Sequence, residues 1–229
     1  MLDNAETWLK KTLDYQFSDI RLLQQALTHR SVPGNNNERL EFLGDAVLGI
    51  VISELVFRSH ANAPEGDLSR LRSSLVKDTS LAELALGLGL GEHLNLGSGE
   101  RKAGGHRRES ILADALEAIF GAVYMDAGFD AARAVIERTF GDRLNDMPSV
   151  DDLRDPKTRL QEWLQARGLG LPEYELVNVS GKAHRQQFEV SCAIDDSEIK
   201  TNGHGKTRRN AEQESAQRML AELADGDMK

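Results

Sequence analysis

The stretch N37-E-R-L-E-F-L-G-D-A-V-L48 places three carboxylates, Glu38, Glu41 and Asp45, inside an otherwise apolar segment. At 100° per residue these three side chains fall within roughly 60° of one another on a helix. The apolar run continues to Ile52, and a helix that is apolar almost all round is usually buried. Acids in such a place repel one another unless a cation or a basic partner relieves them. The stretch therefore predicts a buried helix that carries a partly enclosed acidic site.

A second segment, S110-I-L-A-D-A-L-E-A-I-F-G121, presents Asp114 and Glu117 three residues apart. The small residues Ala118 and Gly121 lie on or beside the same face and would let another helix approach closely. If the two acidic helices face each other, their carboxylates form a cluster of hard oxygen ligands. Such ligands suit Mg²⁺ or Mn²⁺, whereas zinc prefers His or Cys.

Two other interpretations of these acids stay open. They could be solvated side chains on amphipathic helices, stabilised by arginines such as Arg39 or Arg107. They could also belong to a di-iron carboxylate bundle, although such bundles use Glu-x-x-His pairs and no histidine stands three residues after any of these acids. Two matched groups with apolar residues on both sides favour a functional site.

The periodicity of the chain predicts two domains. The first part has helical patterns throughout, with Asn37, Asp67, Ser80 and Ser110 as candidate N-caps. The segment from Asp142 to Pro156 is polar and carries two prolines, as linkers often do. We therefore predict an all-α domain at residues 1–145, a linker at 146–154 and a small α+β domain at 155–225.

The second domain has the predicted order α-β-β-β-α. Asp155-Pro156 can start its first helix, and strict alternation from Phe188 to Ile194 predicts a half-buried strand. Weaker strands are predicted at residues 174–179 and 198–201, and a last helix at 207–223. Such an order gives an antiparallel sheet covered by two helices on one side.

Three basic residues, Lys206, Arg208 and Arg209, cluster where that last helix begins. The helix dipole disfavours cations there, so the cluster makes sense if an anion such as phosphate docks on it. A merely solvated run of charges is the alternative.

Composition limits the classes of function. The net charge is −9, and residues 155–229, with 11 basic and 13 acidic residues, are nearly balanced. Binding of nucleic acid would therefore depend on local patches. The glycine-rich segments 87–91 and 97–105 lack the Gly-Lys-Ser/Thr of a phosphate-binding loop, so we expect no nucleotide cofactor.

The chain has the character of a cytoplasmic protein. Its N-terminus has no basic start followed by an apolar run, and the apolar run from Ala46 to Ile52 is too short to span a bilayer. The lone cysteine, Cys192, fits a reducing compartment and lies on the apolar face of its strand. We expect no membrane association.

With these residues in hand, the chain resembles the bacterial ribonuclease III family. N37-E-R-L-E-F-L-G-D45 is similar to the signature helix of that family, and D114-A-L-E-A-I-F-G121 to its second acidic helix. The stretch P64-E-G-D-L-S-R-L-R72 is similar to the part that carries a further glutamate, here Glu65. Residues 155–224 resemble a double-stranded-RNA-binding domain.

The resemblance implies roles for individual residues. Glu41, Asp45, Asp114 and Glu117 would coordinate Mg²⁺, with Mn²⁺ expected to substitute, and Asp45 and Glu117 would also be catalytic. Glu38 and Glu65 would line the same catalytic valley and help to place the scissile strand. The residues implied in RNA binding are Gln161, Glu162, His184, Lys206, Thr207, Arg208 and Arg209. Asn210 departs from the family, which often carries a lysine there.

The activity implied is hydrolysis of double-stranded RNA by a homodimer, which leaves 5′-phosphate and 3′-hydroxyl ends with short 3′ overhangs. Processing of ribosomal RNA and other RNA precursors would be the biological role. The rival hypothesis is a regulator that binds double-stranded RNA without cutting it. The presence of all four expected metal ligands speaks against that rival.

Overall fold

The computed structural model describes residues 2–144, 154–182, 185–194 and 199–226. The chain divides into two compact units, Met1–Val150 and Asp151–Lys229. The first is helical and the second has the order α-β-β-β-α, as predicted. None of the helices within the described ranges is long and apolar enough to cross a membrane.

The first unit contains seven α-helices among its described residues. They are α1 (Leu2–Leu13), α2 (Ile20–Ala26), α3 (Glu38–Ser59), α4 (Glu65–Val76), α5 (Asp78–Gly87), α6 (Ser98–Lys102) and α7 (Glu109–Phe140). Short 3-10 turns lie at Leu90–His93, Gly105–Arg107 and Gly141–Leu144. The long α7 packs against α2, α3 and α5 and so forms the centre of the unit. It is interrupted at Gly128, whose φ of 82° only glycine adopts readily.

One of the four predicted caps has the predicted position. Asn37 is the N-cap residue of α3, but it is buried and makes no side-chain cap, and the Asn36 side chain accepts from the Glu38 amide at 3.1 Å instead. Asp19 caps α2 by accepting a hydrogen bond from the Arg21 amide.

The other three predicted caps are wrong. Asp67 lies two residues inside α4, which begins at Glu65 after Pro64. Ser80 and Ser110 lie within the first turns of α5 and α7. In each case the helix begins one or two residues before the predicted cap. Tertiary packing decides which of several neighbouring polar residues becomes the cap.

The prediction that α3 is buried holds for one face only. Val47, Leu48, Val51 and Ile52 are at most 4% exposed, but other apolar residues of the same helix face solvent in the protomer. These are Phe42, Ile50 and Phe57, which are 79%, 59% and 67% exposed.

Two glycines let α3 and α7 touch through their backbones. A methyl group added at Gly44 of α3 would collide with the carbonyl oxygen of Glu117, and one added at Gly121 of α7 would collide with the carbonyl oxygen of Leu40. No side chain can therefore separate the helices at this level. The contact lies one turn or less from each acidic group.

The second unit consists of α8 (Pro156–Ala166), β1 (Glu173–Ser180), β2 (Gln187–Ala193), β3 (Lys200–Gly205) and α9 (Arg208–Gly226). The sheet is antiparallel with the order β1-β2-β3. Its core joins Leu160 and Leu164 of α8 to Cys192 and Ile194 and to Met219 of α9. Cys192 is fully buried, as its place in the alternating pattern predicted.

The third strand is longer than predicted. It extends to Gly205, because Gly203 and Gly205 bring β3 into backbone contact with α9 near Ala211. Both glycines lie between the predicted strand at 198–201 and the predicted helix at 207–223. Their function is close approach between strand and helix.

We predict that Gly44→Ala lowers the free energy of unfolding of the protein by about 3 kcal/mol, at the upper end of overpacking effects. The added methyl group has to push α3 away from α7. Urea denaturation measures the effect. Gly87→Ala is the control, because nothing lies within 4 Å of a methyl group there and alanine favours helix. Equal stability of the two variants would contradict the role assigned to the glycine contact.

Candidate metal centre and nucleic-acid interface

Three acids from α3 and α7 meet in the first unit. Glu41, Asp114 and Glu117 each offer a carboxylate oxygen, and these oxygens all lie within 4.8 Å of one another. All three side chains are partly buried. The predicted meeting of the two acidic helices is therefore observed for these residues.

The packing of α3 on α7 explains this geometry. Glu41 is three residues before Gly44 and Glu117 is four residues before Gly121, so each acid lies about one helical turn from the glycine of its own helix. Asp114 lies about one turn before Glu117 on α7. The backbone contact fixes the distance between the two helices and with it the distance between the carboxylates.

Burial and mutual repulsion raise the pKa of Glu117 to about 8. Burial is the larger cause, followed by the charges of Asp45, Glu41, Asp114 and Asp78. A carboxyl group that binds its proton this strongly lies in an environment that disfavours its negative charge. A cation is the group that would relieve it.

The pKa values of the other two acids are shifted in the same direction. Burial raises the pKa of Glu41, and Asp114 and Glu38 add to the rise, whereas the charge of Arg30 opposes it. Burial also raises the pKa of Asp114, with a contribution from Asp78, and the charges of Arg30 and His29 oppose the rise. The acids thus form one coupled cluster.

Asp45 and Glu38 lie at the edge of this cluster. Both are exposed. Asp45 is outside the group of three, yet after burial its charge is the largest contribution to the raised pKa of Glu117. Glu38 accepts a hydrogen bond from Asn36 Nδ2 at 3.1 Å.

A small cavity opens beside the acids. Its volume is about 160 Å³, and it is lined by His29, Arg30, Asn37, Glu38, Glu41 and Asp114. The sequence interpretation assigned no role to His29 or Arg30. They belong to the loop before α3, and a contact across the fold, not a local pattern, brings them to the site.

Asp78 was also missed. It begins α5, far in sequence from both acidic segments, and its charge acts on Asp114 and Glu117. No periodicity within its own segment could have indicated this neighbourhood.

Glu65 lies elsewhere in the protomer. It lines a cavity of about 400 Å³ together with residues of α3 and α4, among them Phe57, Leu68 and Arg72, and accepts a hydrogen bond from Ser69 Oγ at 2.8 Å. That cavity shares no lining residue with the one beside the acids. The predicted role of Glu65 in the same valley as Glu38 is thus not explained within one protomer and stays a prediction.

The donor chemistry of the cluster fits a hard divalent cation. Three carboxylates converge, and among the described residues the group that could hold a metal contains neither histidine nor cysteine. Oxygen ligands of this kind suit Mg²⁺, Mn²⁺ or Ca²⁺. The raised pKa values indicate that the protein alone does not compensate these charges.

A second candidate site is the start of α9 in the other unit. Thr207 Oγ accepts a hydrogen bond from the Asn210 amide at 3.1 Å and caps the helix. The side chains of Arg208 and Arg209 are 58% and 79% exposed. Lys206 is exposed next to them.

Acidic neighbours hold the two arginines in place. Arg208 Nε lies 2.9 Å from Glu212 Oε1, and Arg209 Nη2 lies 3.6 Å from Asp155 Oδ2. Lys157 Nζ also contacts Glu212, at 2.6 Å. Burial alone would raise the pKa of Glu212, but hydrogen bonds from Lys157 and Arg208 hold it below its usual value. These acids orient the basic side chains and leave their outer surfaces free.

The remaining predicted contacts are less well defined. Gln161 and Glu162 are exposed on α8, and Glu162 accepts a hydrogen bond from Arg154 Nη1 at 3.0 Å. His184 lies outside the described residues. The structure thus brings Thr207, Arg208 and Arg209 together at one helix start, with α8 in the same unit.

Comparisons with known proteins find matches to both units. The family model described as Ribonuclease-III-like matches residues 19–144, and the model of the double-stranded RNA binding motif matches residues 156–223. The chain is 54% identical to Ribonuclease 3 of Dechloromonas aromatica over 213 residues, which are 93% of this chain and 96% of that protein. It is 52% identical to Ribonuclease 3 of Pseudomonas aeruginosa over 222 residues, which are 97% of each chain.

A solved structure is similar to the helical unit. It is the nuclease domain of ribonuclease III from Campylobacter jejuni, reported with structural flexibility in its dimer-forming region. The TM-score is 0.56 at 47% identity, over 58% of this chain and 96% of that one. With its paired acidic helices and its α-β-β-β-α unit, the chain belongs to the ribonuclease III family.

Proposed function

We propose that the protein is a Mg²⁺-dependent endoribonuclease that hydrolyses double-stranded RNA. The observation that carries this proposal is the convergence of Glu41, Asp114 and Glu117 in a chain that also has a double-stranded-RNA-binding fold. The products would be 5′-phosphate and 3′-hydroxyl ends with short 3′ overhangs. Precursors of ribosomal and messenger RNA in the cytoplasm are the proposed substrates.

Glu41, Asp45, Asp114 and Glu117 are the residues that would hold the ion. A bound Mg²⁺ supplies an activated water at neutral pH and stabilises the charge that develops on the phosphate and the leaving oxygen. Asp45 and Glu38, which are exposed at the edge of the cluster, would orient the RNA strand.

The second unit would supply binding. The major groove of an RNA duplex is too deep and narrow for side chains to read, so proteins recognise its shape, its 2′-hydroxyls and its phosphates. Thr207, Arg208 and Arg209 at the start of α9 are suited to phosphates, because free helix amides and basic side chains act there together. Gln161 and Glu162 on α8 and His184 are proposed to face the minor grooves.

We further propose that the enzyme is a homodimer. Phe42, Ile50 and Phe57 lie within about 80° of one another around α3 and are exposed in the protomer, as is Met125 of α7. Exposed apolar side chains grouped on one face are typical of an interface. Glu65 lines the cavity beside Phe57, so a second protomer on this face could bring Glu65 towards the other acidic cluster.

The alternative function is binding of double-stranded RNA without cleavage. It would use the second unit alone and leave the acidic cluster as a structural or regulatory cation site. The two functions differ in one observable result, the appearance of short duplexes that depends on Mg²⁺.

Replacement of the most perturbed acid should separate cleavage from binding. We expect Glu117→Gln to slow Mg²⁺-dependent cleavage of a long, 5′-labelled RNA duplex by about two to three orders of magnitude, the effect of losing one group that stabilises the transition state. Binding of the duplex in Ca²⁺ should persist. Glu109→Gln, an exposed change in the same helix, is the control. Normal cleavage by Glu117→Gln would refute the metal assignment.

The basic start of α9 can be tested through salt dependence. Arg208→Ala combined with Arg209→Ala should weaken RNA binding and lower the slope of log K against log salt by about 0.9 for each lost phosphate contact. Arg218→Ala, about two and a half turns further along α9, is the matched control. A slope equal to that of the wild type would remove Arg208 and Arg209 from the interface.

A charge on the apolar face of α3 tests the dimer. We expect wild-type protein to have twice the chain mass of 25.3 kDa by light scattering and Ile50→Lys to have the mass of one chain. The lysine would be buried without a partner in the interface. Leu86→Lys is the control, because Leu86 is similarly exposed at 51% but lies on α5. A dimeric Ile50→Lys protein would place the interface on another face.

A further inference from the structure

The loop that carries Arg30 is fixed on both sides by backbone hydrogen bonds. Thr28 forms an isolated bridge with Asn95, and the amide of His29 donates to the carbonyl of Asn95 at 3.0 Å. The amide of Asn37 donates to the carbonyl of Thr28 at 2.9 Å, which ties the loop to the start of α3. The position from which the Arg30 side chain projects is therefore rigid.

His29, the neighbour of Arg30 in the cavity, is held in place by Ser31. The amide of Ser31 donates to His29 Nδ1 at 3.2 Å, and Ser31 Oγ lies 2.8 Å from the same nitrogen. A backbone amide can only donate, so Nδ1 accepts this hydrogen bond. Of the described residues that line the acidic cavity, Arg30 is the one arginine or lysine.

Neither packing nor ion pairing gives the Arg30 side chain a clear role in stability. Its side chain is 71% exposed, and its Nη1 lies 3.6 Å from Glu38 Oε1, a long single contact. The other oxygen of Glu38 already accepts from Asn36. An exposed ion pair of this kind contributes little to stability. The guanidinium group nevertheless lies close enough to Glu41 and Asp114 to act on both.

We propose that Arg30 is a substrate-binding residue that contacts a backbone phosphate of the RNA strand at the acidic cavity. This proposal rests on the proposed function. Without the metal, the guanidinium group faces carboxylates. If a divalent cation held by Glu41, Asp45, Asp114 and Glu117 compensated those carboxylates, the guanidinium group, with its single long contact to Glu38, would be available to an anion. Its planar fork matches two phosphate oxygens, which a lysine ammonium group cannot do in the same way.

The arrangement gives Arg30 a role distinct from that of the basic helix start on α9. The residues of α9 would bind phosphates of the duplex through the second unit. Arg30 lies at the rim of the acidic cavity and would attract the strand that an acidic cluster otherwise repels. It would thereby couple binding of the strand to occupancy of the metal site.

The test uses the full chain and an RNA duplex held uncut in Ca²⁺. Arg30→Ala should bind about tenfold more weakly than wild type, with a slope of log K against log salt reduced by about 0.9 for the lost phosphate contact. Arg30→Lys should keep most of the slope and recover part of the affinity. Arg21→Ala is the control, because Arg21 is 84% exposed, is paired with Asp19 and does not line the acidic cavity.

Wild-type affinity and slope in Arg30→Ala would overturn this proposal. If that variant also cleaved at a lower Mg²⁺ concentration than wild type, Arg30 would be only a counter-ion for the acids. Failure of the proposed function is seen separately, because the wild-type protein would then leave the duplex uncut in Mg²⁺ whatever the behaviour of Arg30.

Discussion

The contact between the backbones of α3 and α7 at Gly44 and Gly121 is the constraint on which the candidate active site depends. Each glycine lies against a carbonyl of the opposite helix, Leu40 in one case and Glu117 in the other. Because backbone atoms are the parts of a helix that cannot change rotamer, this distance is fixed more firmly than any side-chain contact could fix it. The backbone positions of the nearby acids, Glu41 and Glu117, are therefore fixed as well. Ligands held in this way need little reorganisation to bind an ion.

The sequence predicted those features that depend on residues close together in the chain. Glu41, Asp114 and Glu117 were found because spacing on each helix and small residues beside the acids indicate a close helix pair. The alternation around Val190 and the Asp155-Pro156 start likewise depend on neighbours in sequence only, and the structure has both. The two-domain architecture followed from the change in period between the parts.

Features that depend on distant segments were missed or misplaced. In the sequence, Gly203 and Gly205 are typical of a loop. Only the packing of β3 against α9 shows that close backbone contact requires glycine there. Arg30 and Asp78 join the acidic cluster only through the folding of the first unit. Glu65 was expected beside the other acids by family resemblance, yet it lines another cavity in the protomer. The N-cap position of α3 is Asn37 as predicted, but the side chain that accepts from the Glu38 amide is that of Asn36, because Asn37 is buried.

An acidic chain can present a basic surface if its acids are used internally. In the second unit, Glu212 pairs with Arg208 and Lys157, and Asp155 pairs with Arg209. The negative charge of these two acids is therefore compensated by the basic side chains. The same negative residues that lower the net charge therefore orient the positive ones. This explains how a nearly balanced domain can bind a polyanion through local geometry.

The crowding of carboxylates in the first unit also has a consequence for folding itself. For Glu117, Glu41 and Asp114 the pKa is higher in the folded protein than in an open chain, so folding without metal takes up protons. That contribution to stability is greatest in acid and is lost as the pH rises from the ordinary glutamate range through about 8, the pKa of Glu117. This dependence of stability on pH is opposite to ordinary acid denaturation, in which protonation removes the charge of paired carboxylates. In alkaline solution the ionised carboxylates thus destabilise the metal-free fold.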